Sequence, residues 1–315
     1  MRHRTAYDCP VVPAVTVEHL SKAYGKTPAL HGVSLAVEQG ELFCITGPDA
    51  AGKSTLLRIL AGTLKPDSGA VTILGENGLN RPPELRYSVG YMPQRFAIYA
   101  DLTADENLAF YCAFYGLGPA ATRERVEYLL RLTRLEPFRR FLAGNLSGGM
   151  KQKLVLACAL VHEPALMILD EPTTGIDPLS RREFWSILTA YLAKGKTIIY
   201  SSVYLEEALR SNRIALMSAG TVTATDTPDH LLARVRDRRF LITTDKRDTA
   251  IAALKSCPEV VSVQPLGRGI AFLVGEAAGS LELATRALKA AGLSEPVEPT
   301  QATLEDVIII AGVAQ

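Results

Sequence analysis

Apolar residues in this chain fall into two patterns. Leu42–Phe43–Cys44–Ile45, Ala165–Leu169 and Ile198–Tyr200 are apolar without interruption. Such short runs suit strands covered on both faces, as in the middle of a parallel sheet. Apolar-periodic, helix-like stretches lie at Lys53–Gly62, Asp105–Tyr115, Arg123–Leu132, Lys151–His162 and Arg181–Leu192. Ala165–Leu169, Arg181–Leu192 and Ile198–Tyr200 then read as strand, helix and strand, a βαβ unit. Segments rich in β-branched residues, Val15–Leu20, Val33–Val37 and Val71–Leu74, read as further strands. Ser88–Met92 reads as a short strand, and Gly75–Glu76–Asn77–Gly78 as a turn.

The character changes near residue 236. Phe240–Thr244, Val260–Val263, Ile270–Val274 and Glu295–Glu298 read as strands. Thr249–Ser256 and Ser280–Ala291 read as helices between them. That order, βαββαβ, predicts a small ferredoxin-like α+β domain over 236–315. Thr303–Ile310 reads as a last helix. The segment carries no catalytic constellation. Residues 1–235 form the expected main α/β domain, with about 95–150 helical.

Length agrees with two domains: 315 residues exceed one typical domain. Hydrophobic content of 48% supplies a substantial core. A net charge of +1 argues against nucleic acid and anionic surfaces as partners. The basic stretch Arg234–Arg239 reads as a solvated linker. Five cysteines (Cys9, Cys44, Cys112, Cys158, Cys257) are scattered without a C-x-x-C pair. They suit free thiols in a reducing compartment, and they assemble no zinc site. The longest apolar runs, of about eight residues, are too short for the roughly twenty that a membrane span needs. A cytosolic chain is expected.

The candidate chemistry begins at Gly47–Thr55, which reads G-P-D-A-A-G-K-S-T. It follows one apolar strand and opens an apolar-periodic helix, the context a phosphate-binding loop requires. Gly47 and Gly52 let backbone N–H groups face inward. Pro48, Asp49, Ala50 and Ala51 complete the cradle, and Thr55 ends it. Lys53 is placed to reach the β- and γ-phosphates, and Ser54 to ligate Mg²⁺. The alternative, an ordinary glycine turn, does not need that context.

Asp170 and Glu171 follow the apolar run in M-I-L-D-E-P. Carboxylates at the carboxyl end of a parallel strand face the same crevice as the loop. Asp170 suits Mg²⁺, and Glu171 suits polarising the attacking water. Gln94 follows a short strand; alone it reads as surface, but an amide oxygen can join the Mg²⁺ shell. In L-S-G-G-M-K-Q (Leu146–Gln152), Ser147 caps a helix while Gly148 and Gly149 leave its N–H groups uncovered. It reads either as a second anion site or as a plain cap. Asp177 lies in T-G-I-D-P, and Tyr24 in S-K-A-Y-G.

Taken together and in this order, these motifs resemble the ATP-binding cassette of ABC transporters over about residues 13–235. The resemblance implies a P-loop NTPase fold: a RecA-like core, an antiparallel β subdomain and a helical subdomain. It makes Gly47–Thr55 the Walker A loop, Met167–Glu171 Walker B, Gln94 the Q-loop and Leu146–Gln152 the signature. Asp177 becomes the D-loop aspartate, and Tyr24 the aromatic residue that stacks on adenine, unless it is a core tyrosine. Cofactors are then ATP and Mg²⁺, with Glu171 and Gln94 catalytic and Ser54, Gln94 and Asp170 at the metal.

G-Y-M-P-Q-R-F-A-I-Y-A-D-L-T, L-S-G-G-M-K-Q-K-L and T-L-E-D-V are similar to the daunorubicin-exporter branch, and most of all to the first cassette of its tandem-cassette members. That branch implies an ATPase driving drug or small-molecule export through a separate ABC-2 type membrane permease. The chain would lie peripherally on the inner face of the cell membrane. It implies a second cassette, in a homodimer or a heterodimer, with each Walker A loop facing the partner's signature helix. Two other classes stay open: a nucleotide-dependent regulator and a non-transport ABC ATPase.

One departure stands out. Where the family carries a switch histidine, this chain reads Ser201–Ser202–Val203–Tyr204–Leu205–Glu206–Glu207–Ala208. Valine neither donates to the γ-phosphate nor holds water. Losing one hydrogen bond to a charged group costs about 1.5–3 kcal/mol, or about one to two decades of rate. Either a histidine-bearing partner cassette compensates, or Ser202, Tyr204 or a water substitutes.

Overall fold

The structure, a computed structural model, describes residues 12–80, 82–95 and 97–313. Cys9 lies outside them. The chain divides into two compact units between Thr225 and Asp226.

The first unit opens with a hairpin, β1 (Val15–Tyr24) and β2 (Thr27–Val37). The chain then enters β3 (Leu42–Thr46), whose five residues are all buried. The phosphate-loop sequence follows and leads into α1 (Lys53–Leu60). β4 (Ser68–Ile73) returns to pair with β1, and the short β5 (Glu76–Asn77) pairs with β4. The expected Gly75–Gly78 turn therefore carries a two-residue strand.

After α2 (Pro83–Ser88), β6 (Val89–Met92) joins the central sheet. The next segment holds α3 (Ala104–Phe114), α4 (Pro119–Thr133) and α5 (Gly148–Ala159). Thr103 and Glu106 close a reciprocal capping box at the start of α3. β7 (Leu166–Leu169), α6 (Pro178–Leu192) and β8 (Thr197–Ser201) form the expected βαβ unit. α7 (Leu205–Ala208), β9 (Arg213–Ser218) and β10 (Thr221–Asp226) complete the unit. β9 and β10 are not among the strands expected from the pattern, although Ile214–Met217 is an apolar run ending at the Ala219–Gly220 turn.

Two sheets result. One is four-stranded, in the order β2-β1-β4-β5, and its named pairs are antiparallel. The other is six-stranded, β10-β9-β3-β8-β7-β6. β9, β3, β8, β7 and β6 run parallel, in continuous register. β3, β7 and β8 are buried at every position, so both faces need apolar residues. The main core joins β-sheet side chains such as Val15, Phe43 and Ile168 to Leu56, Leu57 and Leu60 of α1. An RecA-like parallel core with an antiparallel β sheet and a helical insertion was the fold expected.

The second unit starts with α8 (Pro228–Ala233), ahead of the composition change near residue 236. Asp226 explains the early boundary: its carboxylate holds His230 at 3.0 Å and Arg234 at 2.9 Å. Then follow β11 (Arg239–Thr243), α9 (Arg247–Lys255), β12 (Val260–Leu266), β13 (Gly269–Val274), α10 (Ser280–Ala290), β14 (Val297–Pro299) and α11 (Leu304–Val313). The antiparallel sheet runs β12-β13-β11-β14, with a core of its own around Ile242, Leu254, Phe272 and Leu288.

The solvated-linker reading of Arg234–Arg239 is corrected at its end. Arg239 is a buried strand residue whose guanidinium pairs with the buried carboxylate of Asp306. Arg238 donates to the Val274 carbonyl at 3.0 Å. Strand pairing and a buried acid draw these residues inward, which charge density alone does not reveal.

Candidate functional site

Four neighbouring parallel strands end side by side, and the loops after them carry the candidate residues. β3 ends at Thr46 and passes into Gly47–Gly52; β6 leads to Gln94; β7 leads to Asp170 and Glu171; β8 ends at Ser201. This is the crevice at the carboxyl ends where open α/β sheets place ligands.

The loop after β3 is tight. Gly47 has φ +152°, and a Cβ there would lie 2.0 Å from the Met217 carbonyl oxygen, so only glycine fits. Ala50 takes φ +61° without being glycine, a left-handed conformation that costs about 1–2 kcal/mol. Gly52 forms the N-cap of α1, whose N-terminus faces the loop. The Lys53 ammonium is buried and donates to the carbonyls of Gly47 and Pro48, each at 2.8 Å. Among the described residues, no carboxylate lies within ion-pair distance of it. A cation so placed, held by two carbonyls, is preorganised for an anion entering the loop.

Asp170 is buried at the floor. Its Oδ1 accepts from Ser54 Oγ at 2.9 Å and from Ser201 Oγ at 2.8 Å. Its Oδ2 is buried with no hydrogen-bond partner. An orphaned carboxylate oxygen beside a serine hydroxyl is the donor set a hard divalent cation takes. The residues present thus fit Mg²⁺.

Glu171, also at positive φ (+47°), is fixed through its backbone N–H, which donates to Ser201 Oγ at 2.9 Å. Its Oε2 accepts from Gln94 Nε2 at 3.0 Å and Thr174 Oγ1 at 3.3 Å. The Gln94 amide oxygen stays available as an acceptor. Strain at Ala50 and Glu171 flanks one cleft of about 420 Å³, lined by Thr27, Pro28, Ala29, Asp49–Thr55, Gln94 and Glu171. Tyr24 pairs in register with Thr27 at its rim and is 48% exposed, so it is not a core tyrosine.

Ser147, Gly148, Gly149 and Asp177 are gathered at a different place. Ser147 caps α5 by accepting from the Met150 N–H at 3.3 Å. Asp177 caps α6, accepting from Leu179 and Ser180 N–H groups at 3.0 and 2.9 Å. Hydrogen bonding from Ser180, first by its side chain, holds the Asp177 carboxyl below its usual range. A Cβ at Gly149 would lie 2.3 Å from Ser180 Oγ, so the two helix starts meet only because residue 149 is glycine. None of these four lines the Lys53 cleft.

Val203 is 38% exposed and does not line the cleft either. The two side chains weighed as replacements for a histidine are occupied. Ser202 is buried and donates to Glu207 at 2.8 Å. The Tyr204 ring lies 4.2 Å beneath the Arg181 guanidinium. Glu207 was not singled out by the sequence reading, since a second glutamate in a helix looks like a solvated face.

Buried Cys44, Cys112, Cys158 and Cys257 are free thiols. Burial raises the pKa of Cys44 to about 12, which makes it an inert core residue. Among the described residues, no helix is long and apolar enough to cross a membrane.

Comparison with known proteins agrees with this architecture. The ABC transporter family profile matches residues 30–174. The probable multidrug ABC transporter ATP-binding protein YbhF of Escherichia coli (strain K12) is 41% identical over 232 residues. That match covers 73% of this chain and 40% of the relative, so the chain spans less than half of that protein's length. The daunorubicin resistance ATP-binding protein DrrA3 of Streptomyces coeruleorubidus is 33% identical over 299 residues, covering 94% of this chain and 95% of the relative. Among solved structures, the dimeric post-hydrolysis state of the ATP-binding cassette MJ0796 bound to ADP and Pi superposes with a TM-score of 0.64 at 27% identity. It covers 68% of this chain and 98% of that one. With the loop, the paired acids and the capped glycine helix all in family order, this chain belongs to the ABC transporter family of ATP-binding cassettes.

Proposed function

We propose that this chain binds and hydrolyses ATP as the nucleotide-binding subunit of an ABC-2 type exporter of drugs or other small molecules. One observation carries the reading. The buried, unneutralised Lys53, the Ser54–Asp170 pair with its orphaned oxygen and the Gln94–Glu171 pair converge on one cleft.

In this reading Tyr24 stacks on adenine, and the N–H groups of Gly47–Thr55 and the Lys53 ammonium hold the phosphates. Ser54, Asp170 and Gln94 hold Mg²⁺, which supplies neutralisation of the β- and γ-phosphate charge when bound. Glu171 orients and polarises the water that attacks the γ-phosphate. The Ser147–Gly149 helix start lies apart from the chain's own cleft, as it must if it completes the site of a second cassette.

The permease docks near Gln94 on the helical segment, where Tyr99, Phe110, Phe114 and Phe141 stand exposed on or around α3. Exposed aromatics in such number mark an interaction surface. The relatives named for Nod factor export and for daunorubicin resistance support the export direction. A peripheral position on the inner membrane face follows from permease binding. Val203 favours one second reading, a cassette that binds nucleotide and hydrolyses it slowly.

Fluorescent-nucleotide titration tests the site. Lys53→Ala should lose ATP affinity at least tenfold. Glu171→Gln should keep it and accumulate an ATP-dependent dimer on size-exclusion chromatography. Unchanged affinity in Lys53→Ala would count against the assignment.

A further inference from the structure

We propose that Glu207 is a positioning residue that makes the loop after β8 and the loop after Glu171 move as one. The proposal rests on the nucleotide-site reading above and deepens it.

The Glu207 carboxylate is almost fully buried and gathers groups from three elements. Thr173 Oγ1, two residues after Glu171, donates to both of its oxygens at 2.7 Å. Ser202 Oγ, next to Val203, donates to Oε2 at 2.8 Å. The Trp185 indole N–H of α6 donates to Oε1 at 3.2 Å, and Arg181 stands 3.6 Å away. The backbone carbonyl of Glu207 accepts from Tyr200 Oη at 2.7 Å.

Thr173 and Ser202 share no hydrogen bond with each other; they meet through Glu207. The Val203 loop is thereby held on both sides. Ser202 Oγ receives the Tyr204 N–H at 3.0 Å, and Arg181, beside Glu207, covers the Tyr204 ring. A buried carboxylate with every bond directed has one low-energy arrangement of its donors. Displacing one loop breaks bonds to the other. Beyond the direct bond from the Glu171 N–H to Ser201 Oγ at the end of β8, this carboxylate clamp ties Ser202 to Thr173, the residues that carry each loop onward.

Hydrogen exchange on the full chain tests the coupling directly. Thr173→Val should raise amide exchange at Ser202–Tyr204 about tenfold while leaving α1 and β3 unchanged. Thr173→Ser should restore the unsubstituted rate. Glu207→Gln, which replaces an acceptor oxygen with a donor, should raise exchange in both loops together. A rise confined to the substituted loop, or one spread equally over α1 and β3, overturns the proposal.

With MgATP, Thr173→Val should lower kcat about tenfold at a KM within about twofold; equal loss through KM would likewise overturn it. A chain without turnover would refute the hydrolysis reading alone, because exchange still decides the coupling.

Discussion

At the scale of single residues, Val203 and His162 make opposite lessons of side-chain identity. Val203 is accessible, and its neighbours Ser202 and Tyr204 are engaged elsewhere, so neither of those two side chains stands free to take the place of an imidazole. Val203→His should therefore raise kcat about 10- to 100-fold, since one charged hydrogen bond is regained. Steady-state ATPase assays of the two proteins check this; no gain would place the limitation elsewhere. His162, by contrast, is packed away. Its ring stacks on Tyr115 at 3.8 Å and its Nε2 faces the Val89 carbonyl at 3.2 Å. Burial pushes its pKa down to about 4. The unfolded chain then binds a proton that the folded chain refuses between about pH 6.5 and 4. Stability should fall as pH drops through that window, by on the order of 3 kcal/mol at its lower end. Urea melts at pH 7.5 and 5 should diverge, and His162→Gln should remove part of the difference.

Among elements, the junction of α5 and α6 shows how one glycine sets a contact. Gly149→Ala forces its Cβ into Ser180 Oγ, which must shift along with the start of α6. Overpacking of this kind costs about 1–3 kcal/mol. A lowered Tm by several degrees is expected in calorimetry, and an unaltered Tm would show the junction to be soft. The sequence made Gly148 and Gly149 equivalent uncovered positions. Only the packing separates them: a Cβ at Gly148 comes no closer than 3.9 Å to the Gly175 carbonyl oxygen, while Gly149 is enclosed. The same limit applied to Arg239, whose charge suggested solvent until strand pairing and Asp306 placed it inside.

For the whole molecule, the two units differ in what the chain discloses. The second holds its own apolar cluster around Phe240, Leu254, Ile270 and Leu288. Residues 226–313 expressed alone should unfold cooperatively by circular dichroism; a broad, non-cooperative melt would refute their independence. The candidate cleft is largely legible in the sequence, because phosphate binding needs fixed residue types at fixed spacing: Gly47, Lys53 and Ser54 lie within eight positions, and a strand must precede them. Buried strands were legible for a similar reason, since β3, β7 and β8 must be apolar on both faces. Contacts between distant segments were not. That Ser54 and Asp170, 116 positions apart, share a hydrogen bond depends on β3 and β7 flanking β8 in one sheet. That Glu207 gathers Thr173, Trp185 and Ser202 depends on three chain reversals that leave no local pattern. Sequence alone determined the loop and the buried strands, both set by local chemistry or periodicity, and the family resemblance placed Val203 where a switch histidine is expected. Tertiary structure alone decided which carboxylate oxygen stays orphaned and which glutamate ties two loops together, because these follow from where separate strand ends converge.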